Sequence, residues 1–183
     1  SRAAFKLLQI NEKFKFLLPG LSVVDLGCAP GGWLQIASKK VVSTVGNEKV
    51  VGVDLLPTDF ISGCISILGD ISDKSVGEKL INILGHKPNI VLSDMAANTT
   101  GHKKTDHIRT THLVETALDF AIENLEKNGV FLTKCFKGGT EIESLSLMRK
   151  YFTKVSHIKP DSSRKDSVEG YVIALGFKGY NSN

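Results

Sequence analysis

The stretch from Val23 to Trp33, which reads VVDLGCAPGGW, constrains the fold of this chain more than any other. An apolar segment typical of a buried strand leads into three glycines and a proline within six positions. Glycine lets the backbone turn sharply and approach a ligand closely, because it has no side chain. A strand, such a turn and the start of a helix form a nucleotide-type pocket at the carboxyl end of a sheet. The residues that we expect to form this pocket are Asp25, Gly27, Gly31, Gly32 and Trp33.

The spacing of the glycines distinguishes between cofactors. A dinucleotide-binding turn has the pattern G-x-G-x-x-G, whereas this turn reads G-x-x-x-G-G and has Asp25 two residues before its first glycine. A carboxylate at that place repels a diphosphate, but it does not repel a ribose or a cationic ligand. S-adenosylmethionine carries a positive sulfonium and a positive amino group, and it has no phosphate. The turn therefore favours S-adenosylmethionine over NAD.

Apolar segments with strand and helix periodicity alternate along the rest of the chain. The predicted strands cover residues 22–26, 50–54, 64–68, 90–94, 130–134, 154–158 and 171–176. The predicted helices cover residues 2–16, 32–39, 73–84, 105–125 and 141–151. This alternation predicts a Rossmann-like α/β fold, in which helices cover both faces of a mostly parallel sheet. The length of 183 residues fits a single domain over residues 1–183.

Four acidic residues lie at or just after the ends of the first four predicted strands: Asp25, Asp54, Asp70 and Asp94. The carboxyl ends of parallel strands meet at one edge of a sheet, and ligands bind at that edge. Asp54 is placed to accept hydrogen bonds from ribose hydroxyls, and Asp70 from an adenine amino group. Any one of these acids alone could be a turn or cap residue. Four acids at the ends of four successive strands together predict a shared cofactor site.

Composition points to an intracellular, cytoplasmic protein. No apolar run reaches the length of a membrane span, and no signal-peptide pattern opens the chain. The three cysteines are scattered and include no C-x-x-C pair, which favours reduced thiols. Because the chain starts at Ser1 rather than methionine, we expect a further N-terminal segment to precede it. We expect no metal site, because His102, His107 and His112 recur every five residues, a spacing that does not place them on one helix face.

Basic residues suggest a polyanionic partner, although the net charge of +4 is modest. They cluster as Arg2 with Lys6, Lys13 and Lys15; Lys39–Lys40; Lys103–Lys104 with Arg109; and Arg149–Lys150 through Arg164–Lys165. Several clusters along one sheet edge would form a groove that follows phosphates. The predicted loop 95–104 and the segment 161–167 flank the expected site, and they can close over a flipped nucleotide.

Seven segments in one order resemble the FtsJ/RrmJ family of S-adenosylmethionine-dependent ribose 2′-O-methyltransferases. They read SRAAFKL, VVDLGCAPGGW, GVDLLP, LGDI, LSDMAAN, FLTKCFKGG and KPDSSRKDSVEGYVIA. The resemblance runs nearly end to end and implies a seven-stranded sheet whose last strand is antiparallel. It implies cofactor contacts at Gly31, Trp33, Asp54, Asp70 and Asp94. It also implies that the catalytic residues are Lys6, Asp94, Lys134 and Glu169.

The same resemblance implies an RNA substrate. The expected target is a uridine of large-subunit ribosomal RNA within the large ribosomal subunit. The enzyme is expected to be a monomer. Relatives that methylate transfer RNA or messenger-RNA caps share the four catalytic residues, so these targets stay open. Two other classes of function also stay open: a catalytically silent RNA-binding or ribosome-assembly protein, and an NAD-dependent oxidoreductase. The glycine spacing argues against the oxidoreductase, and the complete catalytic set argues against the silent protein.

Methyl transfer to a ribose hydroxyl is an in-line displacement in which the hydroxyl proton must leave. Lys134 can accept that proton only after losing its own, which burial or a neighbouring cation such as Lys6 favours. Asp94 opposes this loss, because a carboxylate stabilises the charged lysine. The sequence therefore leaves two roles open for Lys134, a general base and a group that positions the hydroxyl.

Overall fold

The computed structural model describes residues 1–98, 100–136 and 142–180. The helices are α1 (Arg2–Phe14), α2 (Gly32–Val41), α3 (Lys74–Leu84), α4 (Lys103–Asn124) and α5 (Ile142–Tyr151). The strands are β1 (Val23–Leu26), β2 (Val50–Asp54), β3 (Cys64–Leu68), β4 (Ile90–Ser93), β5 (Val130–Phe136), β6 (Phe152–Ile158) and β7 (Glu169–Phe177). None of the helices in this described part of the chain is long and apolar enough to cross a membrane.

The described strands form one seven-stranded sheet in the order β3-β2-β1-β4-β5-β7-β6. Strands β1 to β5 run parallel to one another, and β7 lies antiparallel between β5 and β6. The predicted antiparallel last strand is therefore confirmed. The strand order reverses beside β1, which has β2 on one side and β4 on the other. Open α/β sheets bind their ligands at such a reversal, outside the carboxyl ends of the strands.

Helices cover both faces of the sheet, as the alternation of segments predicts. On one face α3, α4 and α5 pack over side chains such as Val24, Val91 and Phe131. On the other face α1 and α2 pack over alternate positions of the same strands, including Val23 and Leu92. Because both faces are buried, the central strands are continuous apolar runs rather than alternating ones.

Several boundaries differ from the predicted ones for identifiable physical reasons. Helix α1 ends at Phe14 rather than residue 16, because Lys15 takes a left-handed conformation. The Asn11 carboxamide oxygen then accepts hydrogen bonds from the backbone N–H groups of Phe16 (3.1 Å) and Leu17 (2.9 Å). Helix α4 begins two residues earlier than predicted, because the His102 side chain caps it. The predicted start of α5 at residue 141 lies outside the described residues.

Strands β5 and β7 are both longer at the ligand-binding edge than predicted. β5 continues to Phe136, and β7 begins at Glu169 rather than at residue 171. The antiparallel register places Lys134 opposite Tyr171 and Phe136 opposite Glu169. Glu169 is consequently fixed by a strand, directly beside the end of β5.

Candidate active site

A cavity of about 440 Å³ opens at the carboxyl edge of the sheet, where β1, β2 and β4 end. This volume lies in the range of roughly 300–1,000 Å³ that small-molecule sites occupy. Gly27, Asp54, Asp70 and Asp94 line it, so the structure brings these four predicted cofactor residues together. None of the described lining residues is a lysine or arginine. An acidic cavity whose described lining includes no lysine or arginine fits a cationic cofactor that lacks phosphate, such as S-adenosylmethionine.

The glycine turn depends on backbone conformations that favour glycine. Gly27 has φ 76° and Gly31 has φ 126°, both in the region that L side chains rarely adopt. A Cβ at Gly27 would lie 2.6 Å from the Met95 side chain, and a Cβ at Gly31 would collide with Ile61. The turn can therefore pack tightly between the loops that follow β2 and β4.

Asp54 fixes the position of this turn. One carboxylate oxygen accepts a hydrogen bond from the Ala29 N–H (2.9 Å), and the other accepts one from the Leu56 N–H (3.0 Å). Because each carboxylate oxygen has two lone pairs, both can still accept a hydrogen bond from a ligand. The structure therefore allows the predicted contact with ribose hydroxyls.

Asp70 lines the same cavity beyond the end of β3. It accepts hydrogen bonds from the Ser72 hydroxyl (2.6 Å) and the Ser72 backbone N–H (3.0 Å). These two bonds hold the pKa of the Asp70 carboxyl below its usual value. Asp70 is consequently an ionised hydrogen-bond acceptor at neutral pH.

Asp25 has a different environment from the other strand-end acids. It is fully buried in β1 and is not among the described residues that line the cavity. Neither carboxylate oxygen has a hydrogen-bond partner among the described residues. Burial raises the pKa of Asp25 well above its usual value, and the charges of Asp94 and Asp54 raise it further. Asp25 thus lies behind the glycine turn, where its neutral form is favoured.

Trp33 packs away from the cavity, and it too is absent from the described lining residues. Its indole N–H donates a hydrogen bond to the Ala3 backbone oxygen at 2.7 Å, and its side chain is buried. The indole centroid lies 5.7 Å from the Tyr171 ring. Gly31 caps α2, and Gly32 lies against Ser1 and Ala4 of the first helical turn. These residues hold the start of α2 against α1 and are placed to act on the site indirectly.

Three of the four predicted catalytic residues are in direct contact. The Lys134 ammonium lies 3.3 Å from Asp94 and 3.5 Å from Glu169. The Lys134 side chain is only 12% exposed, whereas Asp94 and Glu169 are 19% and 32% exposed. Three neighbouring chain segments, β5, β7 and the end of β4, therefore converge on one partly buried ion cluster.

Lys6 adds a second positive charge to this cluster. It lies half-buried on α1, and its charge lowers the pKa of Asp94. Burial has the larger effect on Asp94 and raises its pKa, while Lys134 and the Tyr171 hydroxyl act in the opposite direction. The net pKa of Asp94 is raised. Two acids and two cations thus share the site.

Sequence reasoning missed Tyr171. Its hydroxyl donates a hydrogen bond to an Asp94 carboxylate oxygen at 2.8 Å, and burial raises the pKa of this hydroxyl. The two-residue period of a strand could have indicated it. Glu169 and Tyr171 are two residues apart, so their side chains lie on the same face of β7. Tyr171 therefore orients Asp94 from the same strand that supplies Glu169.

The basic clusters divide between the two edges of the sheet. Lys103, Lys104 and Arg164 line a groove of about 740 Å³ that also includes Glu169. Lys39–Lys40 and Arg149–Lys150 belong to the last turns of α2 and α5. A helix that follows a parallel strand runs back to the opposite edge, so these last turns lie far from the site. Of the described basic residues, Lys103, Lys104 and Arg164 line the groove beside Glu169, and the clusters at the ends of α2 and α5 do not.

The strand order, the antiparallel β7 and the acidic cavity at the strand-order reversal define an S-adenosylmethionine-dependent methyltransferase. Comparison with known proteins gives the family. The profile of the FtsJ-like methyltransferases matches residues 1–177, and the chain belongs to this family.

Relatives and solved structures support this assignment. The chain is 52% identical over 179 residues to ribosomal RNA large subunit methyltransferase E of Mesorhizobium japonicum, covering 98% of this chain and 68% of that protein. A crystal structure described as a ribosomal RNA methyltransferase from Plasmodium falciparum is 29% identical, with a TM-score of 0.84 and 98% of each chain covered.

A more distant solved structure is similar to this chain in fold alone. The methyltransferase MycE of the mycinamycin biosynthetic pathway, solved with Mg and S-adenosylhomocysteine, is 13% identical. Its TM-score is 0.59, with 96% of this chain and 47% of that chain covered. The family match and the named relatives confirm the predicted family, the methyltransferase activity and the use of S-adenosylmethionine.

Proposed function

We propose that this enzyme methylates the 2′-hydroxyl of a ribose in RNA, and that its target is a uridine of large-subunit ribosomal RNA. The relatives' names support ribosomal RNA as the substrate. One structural observation carries the proposal: the ion cluster joins two recesses. Asp94 lines the 440 Å³ cavity, Glu169 lines the 740 Å³ groove, and Lys134 bridges them. A methyl donor in the cavity and a ribose in the groove would meet at Lys134.

S-adenosylmethionine supplies an electrophilic methyl group, and the residues of the chain prepare the acceptor. Two carboxylates lie within 3.5 Å of Lys134 and fix the position of its ammonium before reaction. We expect this ammonium to donate a hydrogen bond to the 2′-oxygen and to orient its lone pair. As the carbon–oxygen bond forms and the carbon–sulfur bond breaks, the charge on the ammonium stabilises the developing alkoxide.

The hydroxyl proton also needs an acceptor. In our proposal Lys134 passes one of its protons to Asp94 and takes up the hydroxyl proton, so the ammonium is restored and Asp94 ends protonated. Burial raises the pKa of Asp94, which favours its accepting a proton. The Tyr171 hydroxyl holds Asp94 in place and Lys6 adds a positive charge to its surroundings, while Glu169 keeps Lys134 turned toward the groove. This scheme combines positioning with proton transfer, the two roles that the sequence left open.

A ribosomal RNA substrate supports the large ribosomal subunit as the partner and the cytoplasm as the place of action. All the residues invoked belong to one chain and are placed around one sheet edge, which supports activity as a monomer in a single domain. Asp25, Gly31, Gly32 and Trp33 support the cofactor site from behind the cavity in this proposal.

The test is transfer of a radiolabelled methyl group from S-adenosylmethionine to isolated large subunits, deproteinised large-subunit RNA and transfer RNA. A 2′-O-methyl group blocks alkaline cleavage of the next phosphodiester, so the label should appear in an alkali-resistant dinucleotide. Lys134→Ala should abolish transfer while calorimetry still detects cofactor binding. Lys154→Ala, an exposed lysine on β6, is the matched control and should keep normal turnover. Label on a base, label confined to transfer RNA, or near-normal turnover of Lys134→Ala would contradict the proposal.

A further inference from the structure

We propose that the groove beyond β5 and β7 binds the base of the nucleotide whose ribose is methylated, and that the Phe136 ring is its stacking surface. This inference rests on the proposed function and adds the site of base recognition to it. The groove, called the base groove from here on, has a volume of about 740 Å³. Its lining includes Lys103, Lys104, His107, Phe136, Arg164 and Val168.

The register of β5 places Phe136 at the right position for this role. Lys134 and Phe136 are two residues apart on one strand, so their side chains lie on the same face, about 6.6 Å apart along it. Phe136 also pairs with Glu169 across β5 and β7, which brings these two side chains into lateral contact range. In a nucleotide the base and the 2′-hydroxyl are attached to adjacent ribose carbons. A base on Phe136 therefore has its own 2′-hydroxyl beside Lys134.

The floor of the base groove has the chemistry of a stacking site. Phe136 is half-buried, and the His107 ring lies 6.2 Å from it with a 37° tilt between the planes. Val168, 56% exposed, extends the apolar surface. Proteins that bind single-stranded or flipped bases stack them on aromatic side chains, and any base has a face suited to this. Phe136 and His107 offer such a surface next to the ion cluster.

The charged rim of the base groove favours a polyanion over a neutral ligand. Lys103, Lys104 and Arg164 are exposed along it. Of the three lining acids, Glu169 is paired with Lys134. Asp106 accepts hydrogen bonds from Thr100 and Gly101, so its charge stabilises the preceding loop. Asp166 remains as the one lining carboxylate without such a contact among the described residues. Phosphates on either side of the stacked base can therefore meet three basic side chains.

The segment that carries Arg164 is held in place by α1 and by its own backbone. The Gln9 side-chain oxygen accepts hydrogen bonds from the Ser162 N–H and hydroxyl, both at 2.8 Å. The Lys159 ammonium donates to the Ser167 backbone oxygen, also at 2.8 Å. These contacts fix both ends of the rim before RNA binds, which lowers the entropic cost of binding.

The experiment compares Phe136→Ala, Phe136→Leu and Phe136→Tyr with the wild-type enzyme on a ribosomal RNA fragment. Phe136→Ala should raise the KM for RNA about 10- to 100-fold and leave the dissociation constant of S-adenosylmethionine within about twofold. Phe136→Tyr keeps an aromatic face and should restore RNA binding. Phe136→Leu keeps apolar volume without that face, so it should fold normally and remain defective. Phe60→Ala, an 86% exposed phenylalanine outside the base groove, is the matched control and should have no effect.

A second substrate separates stacking from a purely structural role. An RNA whose target nucleotide has its ribose but no base should lower wild-type activity by about the factor that Phe136→Ala does. Phe136→Ala should then show no further loss on this abasic RNA, because base and ring act as a pair. Wild-type-like RNA binding by Phe136→Ala or Phe136→Leu, or additive losses on the abasic RNA, would overturn the inference.

Two further outcomes distinguish a failure of the proposed function from a failure of the inference about the base groove. If the wild-type enzyme does not methylate RNA ribose at all, the proposed function itself fails. If Phe136→Ala is impaired on assembled subunits but normal on free RNA, the base groove binds a ribosomal protein instead, and the inference is wrong.

Discussion

Replacing Trp33 by phenylalanine tests whether this side chain contacts the cofactor, as sequence reasoning predicts, or supports the site from behind. In the structure Trp33 is 3% exposed and donates its indole N–H to the Ala3 backbone oxygen at 2.7 Å. Trp33→Phe removes this hydrogen bond, worth about 1 kcal/mol net. It also removes about 40 Å² of buried apolar surface, which is worth about 1 kcal/mol at ~25 cal/mol per Å².

The expected loss in the free energy of unfolding is therefore about 2 kcal/mol, which lowers Tm by roughly 4–8 °C in a domain of this size. Because Trp33 is not among the described residues of the cofactor cavity, the dissociation constant of S-adenosylmethionine should change less than about twofold. Turnover should fall by a larger factor than the affinity for the cofactor. Trp33 holds α1, the helix that carries Lys6, and it also packs on Tyr171.

Thermal unfolding, calorimetric titration with S-adenosylmethionine and methyl-transfer kinetics measure these three effects separately. Phe60→Leu is the control, because this exposed aromatic residue should change Tm very little. A tenfold weaker affinity for the cofactor together with an unchanged Tm would refute this reasoning. It would indicate that Trp33 contacts the cofactor directly.

Two further substitutions test the electrostatics of the site. Tyr171→Phe removes the hydrogen bond that lowers the pKa of Asp94. The pKa of Asp94 should therefore rise, and the acidic limb of the kcat/KM profile should move to higher pH. An acidic limb that does not move would contradict this role of Tyr171. Asp25 has a folded-state pKa raised above its ordinary value of 3.8, so the folded state holds its proton more tightly and loses stability as the pH rises above that value. Asp25→Asn does not titrate, so its Tm should fall less than that of the wild type as the pH is raised above 3.8, and equal slopes would contradict the explanation.

The sequence predicts the fold well because local signals and packing agree. Buried parallel strands are apolar on both faces, so runs such as residues 90–93 are visible without any structure. The strand-end acids Asp54, Asp70 and Asp94 could be assigned to one site, because parallel strands end at the same edge. Helix ends were less accurate, since side-chain caps such as those of Asn11 and His102 decide them.

The direction of a side chain is harder to predict when it depends on a distant segment. Trp33 follows the glycine turn directly, and this proximity in sequence suggests a cofactor contact. Its actual partners are Ala3, thirty residues earlier, and Tyr171, more than a hundred residues later. Neither partner is visible from the pattern around Trp33, because both depend on how α1 and α2 pack over the same face of the sheet.

These distant partners also explain why the ion cluster can be precise. Trp33 bonds to α1 through Ala3 and packs on Tyr171, whose hydroxyl binds Asp94. The helix that supplies Lys6 and the strand that supplies Glu169 are therefore held by the same aromatic pair. Since electrostatic stabilisation depends on fixed distances between charges, a buried aromatic contact outside the cavity helps to set the geometry of the charges inside it.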